Sequence, residues 1–249
     1  MEVVSPNAFY DSDNRADPPK CHENTRVAII SKIMDWVTST IDSDTDAFML
    51  WLYGPAGAGK TAIARKVAEL CQAQGLLASF LFFRSDHKRN TMTPLAANIA
   101  YCVARVIPST NELIKIAIEA DPLILKSSIE VQLTTLVLEP LRLLAGQGYF
   151  LSGKFPRLIV IDGLDECLDK SAQTKLIQFL ASSVAQHQLP LKFLIVSRPE
   201  AHIKLAVALA SKQTMFSHLE LSGDNLESYK DIRRFLTDKF CEIKTCHPF

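Results

Sequence analysis

Phe48-Met-Leu-Trp-Leu-Tyr53-Gly54-Pro55-Ala56-Gly57-Ala58-Gly59-Lys60-Thr61 joins six consecutive apolar residues to a glycine-rich octet. An unbroken apolar run of this length, ended by glycine, is the pattern of a strand buried on both faces of a parallel sheet. Residues 60 to 73 continue as a helix. The octet therefore turns from strand to helix, where glycines bend the backbone without Cβ clashes and successive amides at a helix N-terminus face an anion.

Working outward, further elements of the same kind appear. Upstream, Val27, Ile30, Ile33, Met34 and Val37 recur at helical spacing over Arg26 to Ser39. Downstream, Ala78 to Phe83 reads as a second buried strand. Pro94 to about Leu144 is helical in pattern, punctuated by Pro108, Pro122 and Pro140, each of which should end or kink a helix. Leu158 to Ile161 and Phe193 to Val196 are two more buried strands, with a helix near 172 to 187 between them. A short strand from His218 to Leu221 and a helix from about Asn225 to Phe240 close the pattern. Strands separated by helical segments need crossover connections, so the expected fold is a three-layer α/β domain with a parallel sheet.

The octet satisfies G-x-x-x-x-G-K-[ST] at every fixed position, which is the P-loop pattern. Gly54, Pro55, Ala56, Gly57, Ala58, Gly59, Lys60, Thr61 and Ala62 are the expected phosphate-binding segment. Lys60 would reach the β- and γ-phosphates, and the Thr61 hydroxyl would take one Mg²⁺ position. Leu158-Ile-Val-Ile-Asp162-Gly-Leu-Asp165-Glu166 delivers a carboxylate to the ligand edge of such a sheet, and Asp162 is the expected metal aspartate. Asp165 or Glu166 would orient the attacking water, with Glu166 preferred because an acid a few residues beyond the metal aspartate can reach the γ-phosphate side. Arg198, at the end of the strand Phe193 to Ser197, would touch the γ-phosphate with its planar fork. The cationic run Arg84-Ser-Asp-His-Lys-Arg89 reads as a solvated loop. GTP is an alternative to ATP, but no N-K-x-D or T-K-x-D base-reading motif follows Asp162.

Composition narrows the function. Lys+Arg and Asp+Glu both number 27 in 249 residues, so net charge gives no attraction to nucleic acid or anionic membrane. No apolar run approaches the roughly 20 residues of a membrane span, and a cytoplasmic location is expected. The six cysteines are scattered without a C-x-x-C pair, which favours reduced thiols; Cys241, Cys246 and His247 fall short of the four spaced ligands of structural zinc. Residues 1 to 25, rich in Asn, Asp and Ser with three Pro, read as a leader or linker; 26 to 240 as the NTPase domain; and 241 to 249 as a tail of a truncated chain.

The octet ending Gly59-Lys60-Thr61, the run Asp162-Gly163-Leu164-Asp165-Glu166 and Ser197-Arg198-Pro199 together resemble the NACHT domain of STAND P-loop NTPases, in the form common in large fungal proteins (the nephrocystin-3-like N-terminal type), over about residues 20 to 240. The resemblance implies an ASCE sheet of order 5-1-4-3-2, with the strands carrying Asp162 and Arg198 adjacent to the P-loop strand. It implies slow NTP hydrolysis within a switch whose ATP form oligomerises and signals, in fungi in non-self recognition. It also implies that Cys21-His-Glu-Asn-Thr25-Arg26 lies near the adenine. Two other classes share these motifs: an AAA-type motor or DNA-dependent ATPase, and a nucleotide-binding module without turnover.

Overall fold

The computed structural model describes residues 4–12, 20–39, 47–73, 75–152, 156–187, 189–222 and 226–246. Five parallel strands form one sheet: β1 (Met49–Tyr53), β2 (Leu76–Leu81), β3 (Leu158–Asp162), β4 (Lys192–Ser197) and β5 (Phe216–Glu220), in the order β2-β3-β4-β1-β5. This is the expected order read from the other edge. One detail differs from expectation: β4 pairs with β1 through Trp51↔Ile195, but β3 pairs with β4 through Val160↔Leu194, so β4 stands between the Asp162 strand and the P-loop strand.

Alternation along the strands sorts the core into two layers. Met49, Trp51, Ile159, Ile161, Phe193 and Ile195 face a large cluster completed by α3 (Thr93–Val106), α7 (Lys170–His187) and α8 (Ala201–Ala210). Leu50, Leu52, Leu158, Val160, Leu194 and Val196 face a smaller cluster under α1 (Val27–Thr38) and α2 (Lys60–Cys71). Both faces of β1, β3 and β4 are covered, which is why these strands are buried along nearly their whole length, while the edge strand β5, Phe-Ser-His-Leu-Glu, alternates.

Between β2 and β3 the chain also forms α4 (Asn111–Ala120), α5 (Ile129–Leu133) and α6 (Glu139–Gly146). Pro108 ends α3 as expected and starts a short 3-10 turn. Pro140 neither ends nor visibly breaks its helix. A π-turn over Thr134–Leu138 joins α5 to α6, and Pro140 sits in the first turn of α6, where its missing amide costs least. The helix α8 was not expected, and α9 (Leu226–Cys246) runs past the predicted end near Phe240. Among the described residues no helix is long and apolar enough to cross a membrane. Cys241 is an exposed free thiol, while His247 and the Cys246 side chain lie outside the described residues.

Part of the segment read as leader is built into the domain. Pro6–Ala8 form a 3-10 turn, and Ala8 is fully buried in the larger cluster. Phe9 stacks on Tyr101 of α3, and the Tyr10 amide donates to the Ser79 hydroxyl of β2.

Candidate nucleotide site

The strands end at one edge of the sheet, and the predicted residues gather there. Gly54 leaves β1 so close to β5 that a Cβ would lie 2.7 Å from the Leu221 carbonyl oxygen. Gly57 and Gly59 then take φ of +76° and +84°, the left-handed region in which a side chain is strained. Lys60 opens α2, and its Nζ donates to the carbonyls of Gly54 and Pro55 at 2.9 and 2.8 Å, folding the ammonium back over its own loop. Burial lowers its pKa; the nearby charges of Asp165, Asp162 and Glu166 oppose that shift, and Arg198 adds to it. One lysine thus senses every charged residue assigned to the site.

Asp162, the last residue of β3, is buried, and the Thr61 hydroxyl hydrogen-bonds its carboxyl. Burial drives its pKa to about 7, raised further by the Glu166 charge, while the Thr61 bond, the Gly163 amide and Lys60 act against the rise. The chain turns at Gly163, with φ +71° and room for no Cβ, which would lie 2.9 Å from the Phe82 carbonyl oxygen. That turn starts the 3-10 stretch Leu164–Glu166 and points two acids different ways. Asp165 is buried and committed: one oxygen accepts the Arg198 amide at 2.9 Å, the other faces Arg198 Nε at 3.3 Å. Glu166 is half-buried and accepts the Arg84 amide with Oε2 at 3.0 Å.

Arg198 is thus brought to the site as a partner of Asp165, with its side chain about half exposed. Ser197 beside it is buried and receives the Trp51 indole N-H at 2.9 Å, pinning β4 to β1 at the functional edge. The expected solvated loop at 84–89 is largely exposed, but its two end cations are engaged. Arg84 donates its guanidinium to the Asp165 carbonyl at 2.8 Å, and Arg89 is buried against Asp86 and the Phe83 ring. The signal was available: these cations follow a buried strand that ends at the same sheet edge as Asp162. Arg26 was also passed over as a contact. Its guanidinium donates to the Ala58 carbonyl at 3.2 Å and its amide to Asp231 of α9 at 3.0 Å, so the end of the Cys21 to Arg26 segment does touch the P-loop.

The donor set suits a hard divalent cation. Thr61 and Asp162 offer only oxygen, and a carboxyl held near pH 7 by burial would be stabilised as its anion by a positive charge beside it. The glycine cradle has open space on its outer side, with no atom within 4 Å of a Cβ built at Gly57 or Gly59.

The family model for the nephrocystin 3 N-terminal domain matches residues 30–198. The chain belongs to that family. Nephrocystin-3 N-terminal domains are associated with NACHT- and STAND-like NTPases, and the five-stranded parallel sheet with its strand–glycine loop–helix edge is an α/β P-loop-like fold. Similar solved structures include the Drosophila ORC bound to AT-rich DNA and Cdc6, at 10% identity and TM-score 0.46, and the Drosophila ORC bound to poly(dA/dT) DNA and Cdc6, at 9% and 0.44. Each likeness covers 83% of this nephrocystin-3-type chain and 30% of the other. No curated protein matches.

Proposed function

We propose that this domain binds ATP with Mg²⁺ and hydrolyses it slowly, serving as a nucleotide-controlled switch of the STAND class. The observation that carries the reading is the convergence on Lys60, beyond the end of β1, of Asp162, Asp165 and Glu166 from the end of β3 and Arg198 from the end of β4, beside a loop whose Gly57 and Gly59 adopt left-handed φ. In this reading the amides of residues 57 to 61 hold the phosphates, and Lys60 leaves the Gly54 and Pro55 carbonyls to pair with them. Thr61 and Asp162 would hold Mg²⁺, which would supply positive charge against the phosphates. Glu166 accepts a proton, with the oxygen that does not take the Arg84 amide, from water whose oxygen bonds the γ-phosphorus as the bond to the β-phosphate oxygen breaks, giving ADP and phosphate. Most of the acceleration is positioned charge rather than covalent chemistry. GTP is the alternative nucleotide, and assembly of several copies belongs to the NTP form.

One observation favours a second reading, in which nucleotide is held without turnover. Arg198 is engaged by Asp165 and would have to leave that pair to reach a phosphate. A DNA-dependent ATPase, the remaining class, would reveal itself by stimulation of turnover with duplex or single-stranded DNA.

Binding of a fluorescent ATP analogue with Mg²⁺, followed by turnover on the same samples, tests the proposal. Lys60→Ala should weaken binding about 10- to 100-fold, the worth of charge-assisted bonds to phosphate. Absence of binding by the folded wild type sinks the reading altogether, and binding without turnover favours the static module.

A further inference from the structure

The segment 5–10 touches both neighbours of the Glu166 turn. On one side, Ala8, Phe9 and Tyr10 form a wall of a small cavity whose other walls include Thr61, Ser79 and Asp162. On the other side the segment clasps the loop 83–90. The Ser5 hydroxyl donates to the Lys88 carbonyl at 2.7 Å, and the Arg89 guanidinium donates to the Asn7 carbonyl at 2.7 Å. Arg89 is buried and also holds Asp86 at 2.7 Å, so one side chain ties the segment to the loop's interior.

The loop is tightly cross-braced. Phe83 N-H donates to the Arg89 carbonyl at 3.0 Å, Asn90 donates to the Arg84 carbonyl at 3.2 Å, and the Leu168 amide donates to the Asn90 carbonyl at 2.8 Å. Its first residue past Phe83 is Arg84, whose amide and guanidinium meet Glu166 and Asp165. A path of hydrogen bonds joined by short stretches of backbone therefore runs from Ser5 at Lys88 and Asn7 at Arg89, through Phe83 and Arg84, to the acidic pair.

We propose that residues 5–10 are an intramolecular strap that fixes the 83–90 loop and, through the Arg84 amide, sets the orientation of the Glu166 carboxylate. Arg89 is the positioning residue of this device. The inference rests on the reading of Glu166 as the group that orients water. A lysine at position 89 keeps one charge beside Asp86 but lacks the fork that spans Asp86 and the Asn7 carbonyl together.

The test uses the full chain with Arg89→Lys and Ser5→Ala, each a single change that leaves Ala8 in the core. Amide exchange over residues 83–90, Kd for the fluorescent ATP analogue and kcat are measured together. The strap predicts at least about tenfold faster exchange of the Arg84 amide, a kcat lowered by about tenfold or more, and Kd within about threefold of wild type. Unchanged exchange in both variants overturns the strap. So does faster exchange with wild-type kcat, or a parallel loss of Kd, kcat and Tm, which marks a merely structural role. Faster exchange in a protein whose wild type never turns over supports the strap's hold on the loop and removes the hydrolytic role of Glu166 instead.

Discussion

At the scale of single residues, Asp162 carries the clearest pH signature. Its carboxyl sits at about 7 against an ordinary 3.8, so between those values the native state holds a proton that the unfolded chain releases. The contribution of this group to stability is therefore complete below about pH 4 and is lost as pH rises through about 7. Asp162→Asn should remove that dependence and, without Mg²⁺ at pH 8, stabilise the fold by about 1–3 kcal/mol, the usual cost of a poorly satisfied buried polar group. Urea unfolding at pH 5 and pH 8 checks it; the same variant should lose any Mg²⁺-dependent gain. Gly163→Ala meets both a left-handed φ and the Phe82 carbonyl, and should cost about 2 kcal/mol or more. The neighbouring acids should separate cleanly. Glu166→Gln should change stability by no more than about 0.5 kcal/mol while lowering turnover about 10²- to 10⁴-fold. Asp165→Asn removes the charge that the half-exposed Arg198 pairs with from a buried position, and should lower Tm as well.

At the scale of elements, what the sequence discloses depends on how directly burial is written in composition. β1, β3 and β4 carry continuous apolar runs covered on both faces, which marks the carboxylates and the arginine at their ends. The helix α8 escaped notice because Ala-His-Ile-Lys-Leu-Ala-Val-Ala-Leu-Ala is apolar nearly all round and shows no stripe. The strap was hidden by the opposite effect, since Ser5 and Ala8 are its only buried residues and a stretch as short as Ser-Pro-Asn-Ala-Phe-Tyr leaves no periodic trace. Lys192 is a third case: a lysine at the start of a strand gives no hint of being wholly buried. It donates to the carbonyls of Trp36 and Ser39 and to the Ser39 hydroxyl, closing the C-terminus of α1. A cation there answers carbonyls that the helix itself cannot pair. Lys192→Met should leave them only the Ser39 hydroxyl and the Arg157 guanidinium as donors, at a cost of about 1–3 kcal/mol, seen as a Tm lower by roughly 2–10 °C.

At the scale of the whole molecule, the site couples distant stretches of chain, so ligand binding should be felt as global stability. With ATP and Mg²⁺ at 100 times Kd, linkage gives about 2.7 kcal/mol, or roughly 5–11 °C in a domain of this size. Lys60→Ala should show almost none of that shift. The sheet order has a further consequence for the chain during its synthesis. β1 emerges early, yet its two partners are β4 and β5, which begin only at Lys192 and Phe216. At about 5–20 residues per second, the row Met49 to Tyr53 waits some 7–28 s beyond the ribosome with both edges unpaired. During that interval this apolar row is a template for another nascent chain, so early shielding of Met49 to Tyr53 favours correct pairing once β4 and β5 have been made.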